Sequence, residues 1–461
     1  MSKFHRYFRA SLTQAFIVGL VSFTQPGIWS AIAGLGAGGL QKTTTANIAS
    51  AITYGLMFIL APFCAIFINK KGVKPAILIG TIGYVFYSAG LYLNSKTGAQ
   101  WLIILGAITT AISASFLWVA EAVVVLNYST DGSKGAFVGI WQGLNKFGGI
   151  LSGSISLALN HNSQHSGGVS LNTYIALIAV QCLGLPIALL LAKPEQIYRN
   201  DGKKFKTNII SDSFIQSFNK WKNTFKKRQI LLLLPIIITN LWYGPWYSNY
   251  MTRHFSVRSR TLNSLLTALI GLTVDIIMGI FLDLKIKKSL RARSTFLLSI
   301  TIFTIQYIYG FHMEFYFQKN PKKGLDWNDG DEFIKAFLPF QICKIATEIM
   351  FNWLDWIIGS LNFEPSEVVY VSAIIRAFES LGECFSFIIG SVVFNNTINL
   401  AITAGVFWLA IPFGLYVAFN VSDDELDTNL INEEEGEEEE SLDDIESEIE
   451  QVDIIVEEFK K

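Results

Sequence analysis

Twelve stretches of mainly apolar residues recur along the chain, near 10–33, 46–68, 75–94, 100–127, 134–159, 171–192, 229–252, 261–284, 294–317, 333–358, 366–394 and 398–420. Each approaches or exceeds the roughly 20 residues that carry a helix across the hydrocarbon core of a bilayer. The pattern therefore predicts twelve transmembrane helices. One polar interval, 193–228, is much longer than the rest and divides them six and six. The expected organisation is a six-helix bundle over 1–192, a basic cytosolic linker over 193–228, a second six-helix bundle over 229–420 and an acidic cytosolic tail over 421–461. The first apolar stretch follows Lys3, Arg6 and Arg9 and continues past the length of a signal-peptide core, so it is expected to stay as a spanning helix.

Composition agrees with lipid as the main solvent. Of 461 residues 51% are hydrophobic and 16% charged, against about 25% charged in an average soluble domain. A soluble enzyme is not expected. The net charge of −1 hides a split: residues 421–461 hold 19 acids and two bases, which leaves the remainder at +16. Loop charge sets orientation. With the N-terminus in the cytosol, inside segments before the tail collect 22 bases and outside loops eight, three of them (Arg253, Arg258 and Arg260) against the rule. Both termini are then cytosolic, in a plasma or internal membrane. Of the chain's sequons, Asn395-Asn396-Thr397 is the one expected to face outward, which makes Asn395 a glycosylation candidate. Cys64, Cys182, Cys343 and Cys384 lie in apolar runs and read as small core residues, not a disulfide framework.

Ala65-x-x-x-Asn69-Lys70-Lys71-Gly72-Val73-Lys74 follows the second span. Gly279-x-x-x-Asp283-Leu284-Lys285, then Lys287 and Lys288, follows the eighth. Both resemble degraded copies of the major facilitator superfamily signature G-x-x-x-D-[RK]-x-G-[RK]-[RK], at the same place in each half. Asn69, Lys70, Gly72, Lys74, Gly279, Asp283 and Lys285 are accordingly candidate cytosolic gate-loop residues. Gln25-Pro26-Gly27-Ile28-Trp29-Ser30-Ala31 through Gly34-Leu35-Gly36-Ala37-Gly38-Gly39 resembles the T-x-P-G-x-x-x-A-x-x-G-x-G-x-G-G pattern of the "uncoordinated ninety-three"-like branch, in its fungal form. Lys134-Gly135-Ala136-Phe137-Val138-Gly139-Ile140-Trp141 is similar to its K-G-x-[FY]-x-G-I-[FW]-W, and Asp326-Trp327 to its loop D-W. Leu117-Trp118-Val119-Ala120-Glu121-Ala122 departs from the family's W-x-G-Q-G by placing an acid and more bulk there. The resemblance implies an all-α facilitator fold of two six-helix bundles. It implies either a transporter or a regulator or trafficking chaperone of other membrane proteins. The fourth-helix arginine of proton-coupled exporters has no counterpart, so proton antiport is not carried over.

Charges at membrane depth are costly and usually face the protein interior or a cavity. Here they are Glu121 in the fourth span, Lys146 in the fifth, Asp275 in the eighth, Lys344, Glu348 and rim Asp355 in the tenth, and Arg376, Glu379 and Glu383 in the eleventh. Spans three, six and twelve carry none and the ninth only Glu314, as expected of peripheral helices in a facilitator fold. Lys344 with Glu348, and Arg376 with Glu379, have a spacing that puts them on one helix face. Apart from Asp355, five acids still exceed three bases. Glu121, Lys146, Asp275, Lys344, Glu348, Arg376, Glu379 and Glu383 are therefore candidates for the central cavity or for ion coupling. Pro26-Gly27 is a candidate helix break, which membranes tolerate where it is buried or lines a cavity.

Gly34-Leu35-Gly36-Ala37-Gly38-Gly39 satisfies G-x-G-x-x-G but ends a membrane helix, with no strand before it, so no dinucleotide cofactor is expected. Five dispersed histidines include His161-x-x-x-His165, which lacks a third ligand, so no metal is expected. Asn240, Trp242, Tyr243, Pro245, Trp246 and Tyr247 read first as an interfacial aromatic belt and second as a solute-stacking wall. The linker's lysines, Phe and Trp suit anionic membrane lipid, not nucleic acid. Leu442, Ile445, Ile449, Val452, Val456 and Phe459 form a short seam beyond the acidic run, suited to a basic protein partner or the linker itself; Ser422, Ser441 and Ser447 precede acids. The expected function is secondary transport of an ion or small solute by alternating access; the alternative is a non-transporting regulator.

Overall fold

The computed structural model describes residues 7–40, 42–129, 134–193, 196–197, 214–361, 363, 367–393 and 395–423. Among these residues the expected spans are helices: Ser11–Gly34, Thr43–Lys71, Val73–Thr97, Trp101–Tyr128, Lys134–Asn160, Leu171–Leu189, Arg228–His254, Val257–Leu282, Lys288–Lys319, Asp331–Gly359, Val368–Val392 and Asn396–Phe419. Among the described residues the protein is all-α, as the facilitator resemblance implies. The eighth helix starts four residues before its apolar run because Ser256 caps it, accepting a hydrogen bond from the Ser259 N–H. Arg258 and Arg260 thus belong to a helix and not to a loop. The acidic run from 424, the 442–459 seam, Ser441, Ser447, most of the linker and Lys3 and Arg6 lie outside the described residues, as does the side chain of Asn69.

Several helices are interrupted. In the first, Phe23–Gly27 forms one π turn around Pro26, which has no N–H to donate and whose ring crowds the preceding turn. The fifth helix presses against the break: a Cβ on Gly27 would lie 2.6 Å from the Asn145 carbonyl oxygen. The seventh helix is broken between Thr239 and Gly244.

The halves meet along two seams, the second helix on the eleventh and the fifth on the eighth. In the first seam the Tyr54 and Phe387 rings stack with centroids 5.8 Å apart, and Phe58 meets Phe378 edge-on at 5.7 Å. In the second, Gly153 lets the backbones close up; a Cβ there would lie 2.7 Å from Leu265 Cα. The third, sixth, ninth and twelfth helices expose Phe86, Leu189, Ile308 and Leu409 outward, apolar surface that suits lipid. Call the end with residues 34–40 the glycine-turn face and the opposite end the linker face. On the linker face, Lys74 donates to the Leu189 and Leu191 carbonyls at the end of the sixth helix. Arg293 donates to the Phe419 carbonyl at the end of the twelfth. Cations at helix C-termini are favourable, and the two halves use the same device. The linker helix Phe214–Phe225 stacks Phe218, Trp221 and Phe225 in a row onto Phe378. Lys220, Lys222 and Lys226 stay exposed.

Candidate functional site

One cavity of about 310 Å³ lies between the halves, lined by the first, second, third, fourth, seventh, eighth, tenth and eleventh helices. Pro26 lines it, so the π turn opens toward the cavity. Its charged lining is Lys344, Arg376, Glu379 and Glu383; its walls are strongly aromatic, with Trp29, Tyr54, Tyr84, Tyr87, Trp118, Tyr243, Tyr247, Phe340 and Phe387.

The charges fall into two groups. Lys146 of the fifth helix reaches across the seam to Asp275 at 3.3 Å and Glu348 at 3.0 Å. Glu348 also pairs with Lys344 one turn earlier on its own helix, and Asn352 donates to Asp275 at 2.8 Å. Gly271 leaves room for this group; a Cβ there would sit 3.1 Å from Lys146 Nζ. Two bases meet two acids, and the group is balanced. On the eleventh helix, Arg376 pairs with Glu379 at 2.7 Å. Its guanidinium lies over the Trp118 ring at 4.6 Å and the Phe351 ring at 5.4 Å. It also faces Asp355, which is exposed at the linker-face end of the tenth helix. Glu383, two turns from Arg376, lines the cavity with Tyr54 beside it. This second group holds more acid than base.

The glycine-turn face is closed by hydrogen bonds between the halves. Gly36, Gly38 and Gly39 take positive φ, as does Ala37 between them, a tight turn that leaves the Leu35, Gly36 and Leu40 carbonyls within reach of one side chain. Arg260 collects them. Its Nε donates to the Leu35 carbonyl at 2.7 Å, Nη2 to those of Gly36 at 2.7 Å and Leu40 at 3.0 Å, and Nη1 to that of Gly167 at 2.7 Å. Arg260 is fully buried. Ser264 adds a bond to the Ala31 carbonyl at 2.7 Å, and Ser248 accepts from the Ala37 N–H at 2.7 Å. Beside this, Arg258 pairs with Asp326 and lies over the Trp327 ring at 4.2 Å. Burial alone would raise the Asp326 carboxyl, but hydrogen bonds from Arg258 and Ser256 more than offset it and hold the group below its ordinary range.

Comparison with known proteins places this geometry. The sequence pattern described as Major Facilitator Superfamily matches residues 12–317, more than half of the chain. The chain belongs to the major facilitator superfamily. Within it the chain is similar to UNC93-like proteins. It is 24% identical to an UNC93-like protein of Schizosaccharomyces pombe over 82% of this chain and 76% of that protein. It is 26% identical to UNC93-like protein 1 of Arabidopsis thaliana over 81% and 83%. Notoamide biosynthesis cluster protein O' of Aspergillus versicolor is 28% identical over 84% of each. The xylose transporter XylE from E. coli, in a partially occluded inward open conformation, superposes with TM-score 0.57 at 14% identity, over 89% of this chain and 96% of that one. A POT family transporter in complex with a thioalcohol-conjugated peptide gives 0.59 at 12% identity, over 87% and 95%. These last two share the fold. The protein is an integral membrane protein of transporter type.

Within this facilitator the eight candidate charges are distributed unevenly. Lys344, Arg376, Glu379 and Glu383 line the cavity, and Lys146, Asp275 and Glu348 adjoin it through Lys344. Glu121 does not line it. It is fully buried behind the wall and accepts from Trp141 Nε1 at 3.0 Å, beside the Asn145–Ser22 hydrogen bond. The aromatic-belt reading of the seventh helix is corrected: Tyr243 and Tyr247 line the cavity, while Trp246 is fully buried and donates to Glu314 at 2.9 Å. The helix break turns these rings inward. Of the gate-loop residues, Lys74 caps the sixth helix and Gly72 takes φ +86° at the turn. Lys70, Asp283 and Lys285 are exposed at the linker face, and Gly279 has open space around its Cα. Asn395 caps the twelfth helix, accepting from the Thr397 N–H at 3.0 Å. The inter-half contact that the sequence did not show is that of Arg260, placed in a loop because the apolar run begins after it. Its violation of the positive-inside rule was the available signal.

Proposed function

We propose that this chain is a secondary transporter that moves a small solute or ion by alternating access between its halves. The observation that carries the reading is the Lys146 bridge to Asp275 and Glu348. It joins the halves beside a cavity that both halves line. Rocking one half against the other separates these charges, which is unfavourable unless a bound ion, proton or solute replaces a partner. On this reading the linker face and both termini are cytosolic, the glycine-turn face is the outer gate, and Arg260 is its latch. Surrounding lipid contacts the linker lysines, and a protein partner for the acidic tail is a separate regulatory matter.

The test is an uptake screen of ions and metabolites on the full-length protein in liposomes, with and without a proton gradient. The expected outcome is saturable uptake that falls in Glu383→Gln and Asp275→Asn, with Glu121→Gln nearer to wild type. Uptake unchanged in all three variants would sink the ion-handling reading. Deleting 421–461 should leave uptake intact. A regulator, the other reading, would instead show no uptake at all and lose a bound membrane-protein partner on that deletion.

A further inference from the structure

The residual charge of the central cavity points to a class of solute. Three of the charges near the cavity are bases, and each is already spoken for. Lys146 and Lys344 are both held by Glu348, with Asp275 as a second acid for Lys146. Arg376 is held by Glu379 and stacked on Trp118 and Phe351. Glu383 is the cavity-lining carboxylate left over. Among the described residues no salt bridge reaches it; Tyr54 lines the cavity beside it, and the charges facing it are Glu379 and Arg376. An uncompensated carboxylate in a low-dielectric site is costly, and a ligand of opposite charge removes that cost.

The surroundings of Glu383 are aromatic. Tyr54 stacks on Phe387 with ring centroids 5.8 Å apart, and across the cavity Trp29 packs against Tyr87 at 4.5 Å. Tyr243 of the seventh helix completes this wall. Ring faces attract an organic cation, most strongly where water is excluded. They offer a small hydrated metal ion or a carboxylate much less. One further group points the same way. Asn47, 1% exposed, lines the cavity and spends its amide N–H on Asn249 and the Gly390 carbonyl. Its Oδ1 is left as a buried acceptor with no donor. Asn47 lies seven residues from Tyr54 on the second helix, roughly 10 Å along the axis.

We propose that the cavity takes a compact organic cation, an ammonium carried on an aromatic or alkyl body. Its charge is held at Glu383 within the rings of Trp29, Tyr54, Tyr87, Tyr243 and Phe387. Asn47 Oδ1 accepts from a second donor toward the glycine-turn face. The assignment rests on reading this cavity as the solute site, but not on movement of the halves. Binding to the purified protein therefore tests it apart from transport.

The experiment uses the full-length protein in lipid nanodiscs and three probes of one shape: 2-phenylethylammonium, the neutral 2-phenylethanol and the anionic 3-phenylpropionate. Binding is read calorimetrically and by quenching of tryptophan fluorescence. The expected result is saturable binding of the ammonium, roughly tenfold or more tighter than the alcohol, with no binding of the carboxylate. Glu383→Gln should abolish the preference for the ammonium over the alcohol. Phe387→Leu should weaken the ammonium by a smaller factor, and it keeps the test informative if Glu383→Gln folds poorly. Equal affinity for ammonium and alcohol, tighter binding of the carboxylate, no saturable ammonium binding, or an unchanged preference in Glu383→Gln each overturns the proposal. Selective ammonium binding without any uptake in liposomes would support it and count against the transport reading alone.

Discussion

The two charge groups at the centre of this protein are both built from bases and carboxylates and are balanced differently. The group on the fifth, eighth and tenth helices sets Lys146 and Lys344 against Asp275 and Glu348 and spans the seam between the halves. The group on the eleventh helix sets Arg376 against Glu379, leaves Glu383 without a salt bridge beside Tyr54, and is walled by aromatic rings. A balanced buried network contributes mainly through its geometry, because desolvation offsets much of its attraction and breaking it exposes unpaired charge. An unbalanced one has capacity for something else. The first group thus suits cohesion between the halves, and the second suits the solute recognition proposed above.

The most damaging way to probe that contrast is Glu348→Gln, which strips both lysines of their shared partner. It should destabilise the folded protein by about 3–5 kcal/mol, read as thermal unfolding in nanodiscs. A milder probe is a double-mutant cycle of Lys146→Met with Asp275→Asn. A coupling of about 0.5–3 kcal/mol is expected, and a value near zero would remove the bridge from the account of cohesion. Arg376→Lys keeps the charge but gives up the stacking on Trp118 and Phe351. The expected loss is about 0.5–2 kcal/mol. Glu383→Gln should cost no stability, since it removes an acid that lacks a base, while solute handling is lost. If it instead unfolds the protein as Glu348→Gln does, the two groups are not different in kind.

The smallest effect belongs to the Arg258–Asp326 pair outside both groups, and it serves as a reference. Its carboxyl is held below the ordinary range, so its contribution is full above the unfolded value of about 3.9 and is lost as pH falls through the lower folded value. The melting difference between wild type and Asp326→Asn should stay constant from neutral pH down to about 4. It should shrink only below that. A difference that fades nearer neutrality would contradict the depressed carboxyl.

Much of the fold was legible because a bilayer imposes a one-dimensional rule. A helix that crosses it must be long and apolar, and runs of that kind can be read along a chain without knowing their neighbours. Among the described residues nine helices meet that rule by length and composition. The other three long helices, Lys134–Asn160, Asp331–Gly359 and Val368–Val392, carry Lys146, Lys344, Glu348, Arg376, Glu379 and Glu383. The helices least typical of lipid carry most of the two charge groups, with Asp275 on the apolar eighth helix as the exception. Pairing was legible only within one helix: Arg376 with Glu379 and Lys344 with Glu348 follow from spacing, and both form.

What the sequence determined by itself is the number of spans, their division into two sets, the residues that carry charge at membrane depth and the excess of acid among them. The partners across helices were decided by the tertiary structure. Lys146 meets Asp275 and Glu348, and Glu121 sits behind the wall under Trp141. Arg260 leaves an apparent loop to hold four backbone carbonyls of the opposite half. Hydropathy and spacing constrain each helix separately, whereas compensation of a buried charge depends on atoms a few ångströms away that come from distant parts of the chain.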